Sequence, residues 1–161
     1  MKRSQIYKPL RDKAKQELSY LKFIDLQKGQ MNNPTQNYPI PLPALLIELG
    51  DFRFSNLLEH KQKGDGTISV YLYFDLVSDT FNGAEREDKT IELLDHFDEL
   101  FETFEGFPIP NMTPLVRTME YKPQYGTRFI LFRIDFTSTI DDEKDMKRKT
   151  TPVTPPKFKF K

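Results

Sequence analysis

Residues 67–77 read TISVYLYFDLV, and apolar and polar side chains alternate along the whole stretch. This two-residue period is typical of a half-buried β-strand. The apolar face comprises Ile68, Val70, Leu72, Phe74 and Leu76. Residues 128–136, RFILFRIDF, alternate in the same way, whereas residues 91–104, IELLDHFDELFETF, repeat their apolar residues at helical spacing. The sequence therefore predicts two strands separated by an amphipathic helix.

Two helices are predicted to pack on these strands. The helix at 91–104 should use a stripe of apolar residues, namely Ile91, Leu94, Phe97, Leu100, Phe101 and Phe104. An N-terminal helix is indicated by apolar residues that recur at helical spacing from Ile6 to Leu21. Proline lacks an N–H and clashes with the preceding turn of a helix. We therefore place the start of this helix at about Lys8, with Pro9 in its first position.

The segment between the N-terminal helix and the first alternating strand contains two further strand signals. Residues 22–27, KFIDLQ, form a short extended run or the exit of the helix. Residues 44–49, ALLIEL, are nearly all apolar, as expected for a central strand covered on both faces. Between them, residues 29–43 hold three asparagines and four prolines, which oppose both helix and sheet hydrogen bonding. This long loop is a candidate functional segment.

Turn chemistry predicts two hairpins. Lys63-Gly64-Asp65-Gly66 has the composition of a tight turn, which would join residues 51–62 to the strand at 67–77. A second turn, around 123–126, would join residues 115–121 to residues 128–140. The outward face of that last strand carries Phe129, Leu131, Arg133 and Asp135 and is only half polar. Such a face indicates a second layer or a neighbouring subunit.

These elements predict an α+β fold. It consists of a mixed, mainly antiparallel sheet of about four to five strands, with an N-terminal helix and one central amphipathic helix packed on it. Residues 1–142 should form a single domain that includes the loop at 29–43, because domains commonly hold about 100–150 residues. Residues 143–161 contain charge runs and three prolines without periodicity, and are predicted to be a flexible basic tail.

Composition excludes several classes of protein. The chain has no cysteine, which agrees with a reducing compartment. Its first residues, MKRSQIYKPLRDK, are not followed by an apolar core, so no secretory signal peptide is expected. No apolar run approaches the ~20 residues needed to cross a bilayer, and no contact with a membrane is predicted. We expect a soluble cytoplasmic protein.

Charge is segregated along the chain although the formal net charge is zero. Residues 1–22 carry seven bases and two acids, and residues 84–105 carry two bases and nine acids. Residues 144–161 carry seven bases and one acid. Opposite patches of this kind can steer association between subunits and fix its register. The sequence leaves open an alternative, in which these are solvated faces whose charges meet within one monomer.

No motif for catalysis, metal binding or a cofactor is present. His96 lies among acidic residues, but a two-histidine metal helix needs a second histidine one turn away. The dipeptide Asp65-Gly66 lacks the other oxygen ligands of a calcium loop. No phosphate-binding glycine motif and no nucleophile elbow occurs. We therefore expect no enzyme and no cofactor. A small enzyme or effector that uses carboxylates such as Asp75 and Asp135 remains a lesser alternative.

A nucleic-acid-binding module is the main alternative function. Tyr71 and Tyr73 share an outward strand face on which bases could stack, and residues 157–161 interleave lysine with phenylalanine. The predicted folded part, however, is net acidic, whereas a nucleic-acid-binding domain normally carries excess positive charge. The simpler account of the two tyrosines is that each pairs with a residue on a neighbouring strand and so stabilises the hairpin.

The order of elements resembles the tail terminator, or tail completion, proteins of long-tailed bacteriophages and prophages, including the head–tail joining group. The resemblance covers residues 5–142 approximately. It rests on PLPALLIELGDF at 41–52, on the strand at 70–74 and on the helix ending in FEGFP at 104–108. LVRTMEY at 115–121 and the closing strand before 137–141 complete it.

The resemblance implies a structural protein that forms a hexameric ring, caps the tail tube and docks towards the head. Its implied partners are further copies of itself, the tail tube protein and head–tail connector proteins. It would reside in the host cytoplasm during assembly and then in the virion tail. Candidate contacts lie in the loop, the first turn, the charged helices and the outward strand face: Gln30, Met31, Asn32, Asn33, Tyr38, Lys63, Asp65, Arg11, Lys15, Glu92, Glu99 and Arg133.

Overall fold

The computed structural model describes residues 2–31, 40–58, 61–76, 83, 87–126 and 128–143. In chain order, their helices and strands are α1 Ser4–Glu17, β1 Phe23–Leu26, β2 Ala44–Leu58, β3 Lys61–Asp75, α2 Glu87–Phe104, β4 Val116–Tyr125 and β5 Phe129–Glu143. The strands form one sheet in the order β1-β2-β3-β5-β4. β1 runs parallel to β2, and the other pairs are antiparallel. The predicted α+β fold with a mixed, mainly antiparallel sheet is confirmed.

Both helices lie on the same face of the sheet and bury its alternating apolar side chains. On β3 this face carries Ile68, Val70, Leu72 and Phe74, all of which are buried as the sequence predicts. Leu76 follows the end of the strand and is exposed. α1 contributes Ile6, Leu10 and Ala14 to the same core. We call this side of the sheet the inner face and the opposite side the outer face.

The central strand predicted at 44–49 is confirmed as the first part of β2. Residues 44–47 are fully buried on both faces, because Leu45 and Ile47 join the inner core while Ala44 and Leu46 belong to a second cluster on the outer face. The short run at 22–27 contains β1, which pairs with this same part of β2.

The predicted start of α1 is wrong. The helix begins at Ser4, so that Pro9 lies inside it rather than in its first position. Proline in the interior removes one backbone hydrogen bond. The extra first turn places Ile6 in the buried core one turn before Leu10. Burial of this side chain offsets the missing bond, since an aliphatic side chain gains about 1.5–3 kcal/mol on leaving water.

The predicted turn at 63–66 is also wrong, because these residues lie within β3. Gly64 pairs with Phe54 of β2, and Gly66 pairs with Phe52. A Cβ on either glycine would overlap the ring of its partner phenylalanine. The glycines therefore make room for aromatic rings that cross from the neighbouring strand, a known way to cover glycine in a sheet. β2 extends to Leu58 and β3 begins at Lys61, so both strands continue past the predicted turn.

We expect Gly66→Ala to lower the free energy of unfolding by about 1–3 kcal/mol, the usual range for overpacking. The new methyl group would displace the Phe52 ring, which packs against the inner core. Urea denaturation followed by circular dichroism would measure the change. In a Phe52→Ala background the same substitution should cost clearly less, because the obstructing ring is gone. Equal costs in the two backgrounds would show that the ring does not set the preference for glycine.

The second predicted hairpin has the correct strands but a displaced turn. β4 continues to Tyr125, so that Pro123 lies within the strand rather than in the turn. It coincides with a register shift between Tyr121 and Gln124. β4 is a terminal strand of the sheet, and proline is tolerated on edge strands and at bulges because its missing N–H breaks no necessary ladder bond there.

The buried stripe of α2 differs from the predicted one. The helix begins one turn before the predicted start, at Glu87. It buries Leu93, Phe97, Leu100 and Phe104, while Phe101 is half-buried. Ile91 and Leu94, which the stripe was expected to include, are 54% and 50% exposed. The adjacent Leu93 and Leu94 make two stripes compatible with the sequence, and packing against Phe132 and Phe136 on the sheet selects the one through Leu93.

Candidate interaction surfaces

A polar cluster occupies the middle of the outer face. Arg133 of β5 donates from Nε to Asp135 Oδ1 at 2.9 Å and from Nη2 to Oδ2 at 3.0 Å. Its guanidinium carbon lies 5.1 Å from the ring centre of Tyr71 and 4.5 Å from that of Tyr121. The Tyr121 hydroxyl donates to Asp135 at 3.0 Å, and the Tyr71 hydroxyl donates to Glu48. Arginine held in this way is an oriented cation rather than a mobile one.

The register of three strands builds this cluster. Tyr71 of β3 pairs with Arg133 of β5, and Arg133 pairs with Tyr121 of β4. Directly paired residues share a face, so the two rings flank the guanidinium. The alternation of the sequence predicts an outward Arg133 but does not predict the cluster, because Tyr121 and Tyr71 lie about 12 and 62 residues away in the chain. The two-residue alternation of residues 67–77 predicts that Tyr71 faces outward. Alternation does not predict the position of Tyr121, because a bulge in β4 shifts its register.

Hydrogen bonding sets the protonation behaviour of the cluster. Asp135 is only 7% exposed, and burial by itself would raise the pKa of its carboxyl group. Hydrogen bonds from Arg133, Ser69 and Tyr121 outweigh this effect, so that the pKa of Asp135 is lowered overall. Burial, together with the bond to Glu48, raises the pKa of Tyr71. The cluster is therefore fixed as a carboxylate, a guanidinium and neutral phenols at neutral pH.

Apolar side chains border the cluster on two sides. Towards β1, buried Ala44, Leu46 and Tyr73 form the second apolar cluster, against which the half-buried Met31, Ile40 and Leu42 pack. Towards the sheet edge, Val116 and Met119 of β4 are 54% and 53% exposed. Aromatic residues, methionine and arginine are the residue types enriched at the centres of protein interfaces. The outer face can therefore serve as a contact surface for another protein.

The exposed side of α1 is basic. Lys8 and Lys15 are exposed, and neither has an ion-pair partner among the residues that the structure describes. The guanidinium of Arg11 forms a 2.7 Å ion pair with Asp12 of the same helix. Of the predicted contacts on this helix, Lys15 is therefore available to a partner, and Arg11 is already paired.

The exposed side of α2 is acidic. Glu99 Oε2 lies 3.0 Å from His96 Nδ1, and Glu92 Oε1 lies 3.7 Å from His96 Nε2. These two predicted contacts thus flank a histidine. The neighbouring exposed acids, Asp95, Asp98 and Glu102, have no ion-pair partner in the described ranges. Although both helices lie on the inner face, no ion pair joins α1 to α2 within those ranges.

A groove of about 460 Å³ opens beside the end of β3. His96 contacts Tyr20 there, with ring centres 3.8 Å apart, and its ring is nearly parallel to Phe74 at 5.6 Å. Both acids and bases line the rim, including Lys22, Asp75, Lys89 and Glu92.

The two carboxylates considered for an enzyme, Asp75 and Asp135, are far apart on the sheet. Asp135 pairs with Ser69 of β3, and Asp75 lies six residues further along β3, which is about 20 Å. These two carboxylates are too far apart to act on one bond.

The remaining predicted contacts are scattered. Lys63 and Asp65 lie in β3 rather than in a turn; both are exposed, and the Asp65 carboxylate accepts a 2.6 Å hydrogen bond from Thr139. In the predicted loop, the side-chain amide of Gln30 donates to the Leu26 carbonyl and Met31 packs on the second apolar cluster. The other loop candidates, Asn32, Asn33 and Tyr38, lie outside the described residues, as does the predicted tail beyond residue 143.

Within the described ranges, no three histidine or acidic side chains are grouped closely enough to hold a metal ion. Neither helix there has the length and apolar character needed to span a membrane. No protein-family model matches the chain, and no curated protein is significantly similar to it.

Proposed function

We propose that this chain is a structural protein of the phage tail terminator or tail completion type. Copies associate head to tail into a ring that caps the tail tube and joins it to the head, and no reaction is catalysed. In this proposal the basic side of α1 in one copy meets the acidic side of α2 in the next. A contact between two different patches closes into a ring when the rotation between copies divides the circle.

One observation carries this proposal. α1 and α2 lie on the same face of the sheet with opposite exposed charges, and within the described part of the chain Lys8 and Lys15 do not neutralise Asp95 and Asp98. Charges left unmatched within a monomer can be matched between copies. Complementary patches of this kind speed encounter and fix register more than they add affinity.

The outer face supports a second role, as the surface that meets the tail tube or a head–tail connector protein. Arg133 between Tyr71 and Tyr121 is held in place before any partner binds. The exposed Val116 and Met119 extend this surface to the sheet edge. Pre-oriented side chains lose less conformational freedom on binding, which favours their use as anchors.

The nucleic-acid-binding alternative has less support. Tyr73 is 4% exposed and forms an edge contact with Phe129, so that little of its ring surface is free for a base. Tyr71 is half-buried and lies against the guanidinium of Arg133. Stacking of successive bases requires open aromatic faces. We therefore favour assembly over binding of single-stranded nucleic acid.

Two charge-reversed variants test the proposed ring. Lys8→Glu/Lys15→Glu makes α1 acidic, and Asp95→Lys/Asp98→Lys/Glu99→Lys/Glu102→Lys makes α2 basic. In light scattering at low salt, the molar mass of the wild type should rise with protein concentration towards that of about six copies. Each variant alone should stay monomeric, because α1 of one copy and α2 of the next then carry charges of the same sign and repel each other. An equimolar mixture should assemble again, since every contact then joins an acidic helix to a basic one. Added salt should weaken assembly.

Two results would contradict the proposal. A mixture that fails to assemble under conditions where the wild type does would exclude the α1–α2 contact. A wild-type chain that stays monomeric at high concentration and low salt would remove the main support for a ring. Arg53→Glu, which reverses an exposed charge on β2 away from the charged sides of both helices, serves as the control and should assemble like the wild type.

A further inference from the structure

The exposed side of α2 combines apolar and acidic side chains in an unusual way. Ile91 and Leu94 are about half exposed, although each could have been placed in the core by a small rotation of the helix. Asp95, Asp98 and Glu102 surround them along the same side. Neighbouring exposed aliphatic residues that are bordered by charged ones offer an apolar contact to another segment. We call Ile91, Leu94, Asp95, Asp98 and Glu102 the α2 face.

The C-terminal segment of the chain has the complementary composition. Residues 144–161 carry seven bases and one acid, and they end in Lys157-Phe158-Lys159-Phe160-Lys161. Alternating lysine and phenylalanine would match acids that surround aliphatic side chains, because each apolar contact would be bordered by opposite charges. The basic side of α1 offers charge but lacks such alternating aromatic residues.

We propose that the α2 face binds the C-terminal end of its own chain. Docking of this kind takes place within a single molecule. It has a consequence for assembly, however: the bound segment would cover Asp95 and Asp98, which a neighbouring α1 is proposed to contact. Docking within the chain would thus compete with association between copies.

The length of the segment permits this contact. Phe104, at the end of α2, packs on Phe136 of β5. Seven further residues of β5 lead to Glu143, about 23 Å away. Leu94 lies ten residues before Phe104, about 15 Å along the helix. The path from Glu143 to Leu94 is therefore about 40 Å, and the fifteen residues from 144 to 158 span at most about 50 Å.

Both the distance to the α2 face and the covalent link to it favour residues 157–161 of the same chain as the bound segment. Residues close to Glu143 cannot extend to Leu94, whereas Phe158 and Phe160 can. A segment linked to its site within one molecule meets that site without an encounter between molecules, so the contact does not depend on protein concentration. The same contact between two molecules has no such advantage in dilute solution.

Cysteine cross-linking tests the proposal, and the chain itself contains no cysteine. The full-length variant Leu94→Cys/Phe160→Cys carries one thiol in the α2 face and one in the segment. The control, Gln16→Cys/Phe160→Cys, places the first thiol on the exposed side of α1. Under mild oxidation at low salt, the first variant should form an intrachain disulfide at least about tenfold faster than the control.

Each outcome decides the matter. A non-reducing gel separates intrachain from interchain products, and samples are kept at concentrations where light scattering gives a monomer. Equal rates in the two variants, or products that are only interchain, would overturn the proposal. Adding Lys157→Glu, Lys159→Glu and Lys161→Glu to the first variant should abolish its rate advantage. Because the readout needs no assembly, a failed ring and a failed docking site remain distinguishable.

Discussion

Phe132→Ala should lower the free energy of unfolding by about 3–5 kcal/mol, the usual cost of removing a fully buried phenylalanine. Phe132 is completely buried in the centre of the inner core. Its ring centre lies 4.5 Å from that of Phe97 on α2 and 6.4 Å from that of Phe74 on β3. The substitution therefore removes contacts to both the helix and the neighbouring strand and leaves a cavity between them.

Urea denaturation at neutral pH would measure this loss. Domains of ordinary stability unfold with about 5–15 kcal/mol, so the variant should lie near or below the lower limit for a folded chain. Met119→Ala, on the edge strand with a half-exposed side chain, is the control and should change stability by no more than about 0.5 kcal/mol. Similar losses for the two variants would mean that α2 does not pack on β5 through Phe132.

Asp135→Asn should cost about 2–3 kcal/mol at pH 7. The substitution removes the carboxylate that accepts two hydrogen bonds from Arg133 and one from Tyr121. Removing one partner of a fully buried ion pair costs about 3–5 kcal/mol, and we expect less because the Arg133 side chain is a third exposed. Urea denaturation of both proteins would give the difference.

The pH dependence of this difference identifies its origin. The pKa of Asp135 is lower in the folded chain than in the unfolded one, where it takes the ordinary value of about 3.9. Its contribution is therefore complete above that value and is lost as the pH falls through the folded pKa. The gap between wild type and Asp135→Asn should shrink below about pH 4. Asp65→Asn changes an exposed carboxylate on β3, the strand that pairs with β5, and should show no comparable difference in stability from the wild type.

A gap that stays constant between pH 7 and pH 3 would assign the effect to altered packing rather than to charge. In that case the charge of Asp135 would not be what holds Arg133 in place. The proposed contact of the outer face with a tube or connector protein, which relies on this fixed cation, would lose support. Folding and assembly can be separated here, because Arg133 is oriented by Asp135 but does not belong to the charged sides of α1 and α2.

Local patterns in the amino-acid sequence are enough to predict the buried face of the central strands and the α+β class of the fold. Alternation in residues 67–77 and 128–136 sets the inner face of β3 and β5, since a strand can bury only every second side chain. The continuous apolar run at 44–49 likewise determined a strand covered on both sides. These features are local, and each is repeated over enough residues to be read without knowledge of a partner.

Features that depend on a neighbouring strand or helix become visible only in the folded chain. Gly64 and Gly66 have turn chemistry but lie in a strand, because the rings of Phe52 and Phe54 need the space above them. Leu93 and Leu94 are equivalent in the sequence. Packing of α2 on the phenylalanine rings of β5 orients the helix so that Leu93 is buried and Leu94 is exposed. The cluster around Arg133 joins three strands through register. Register is a property of paired strands, so no single segment could have revealed it.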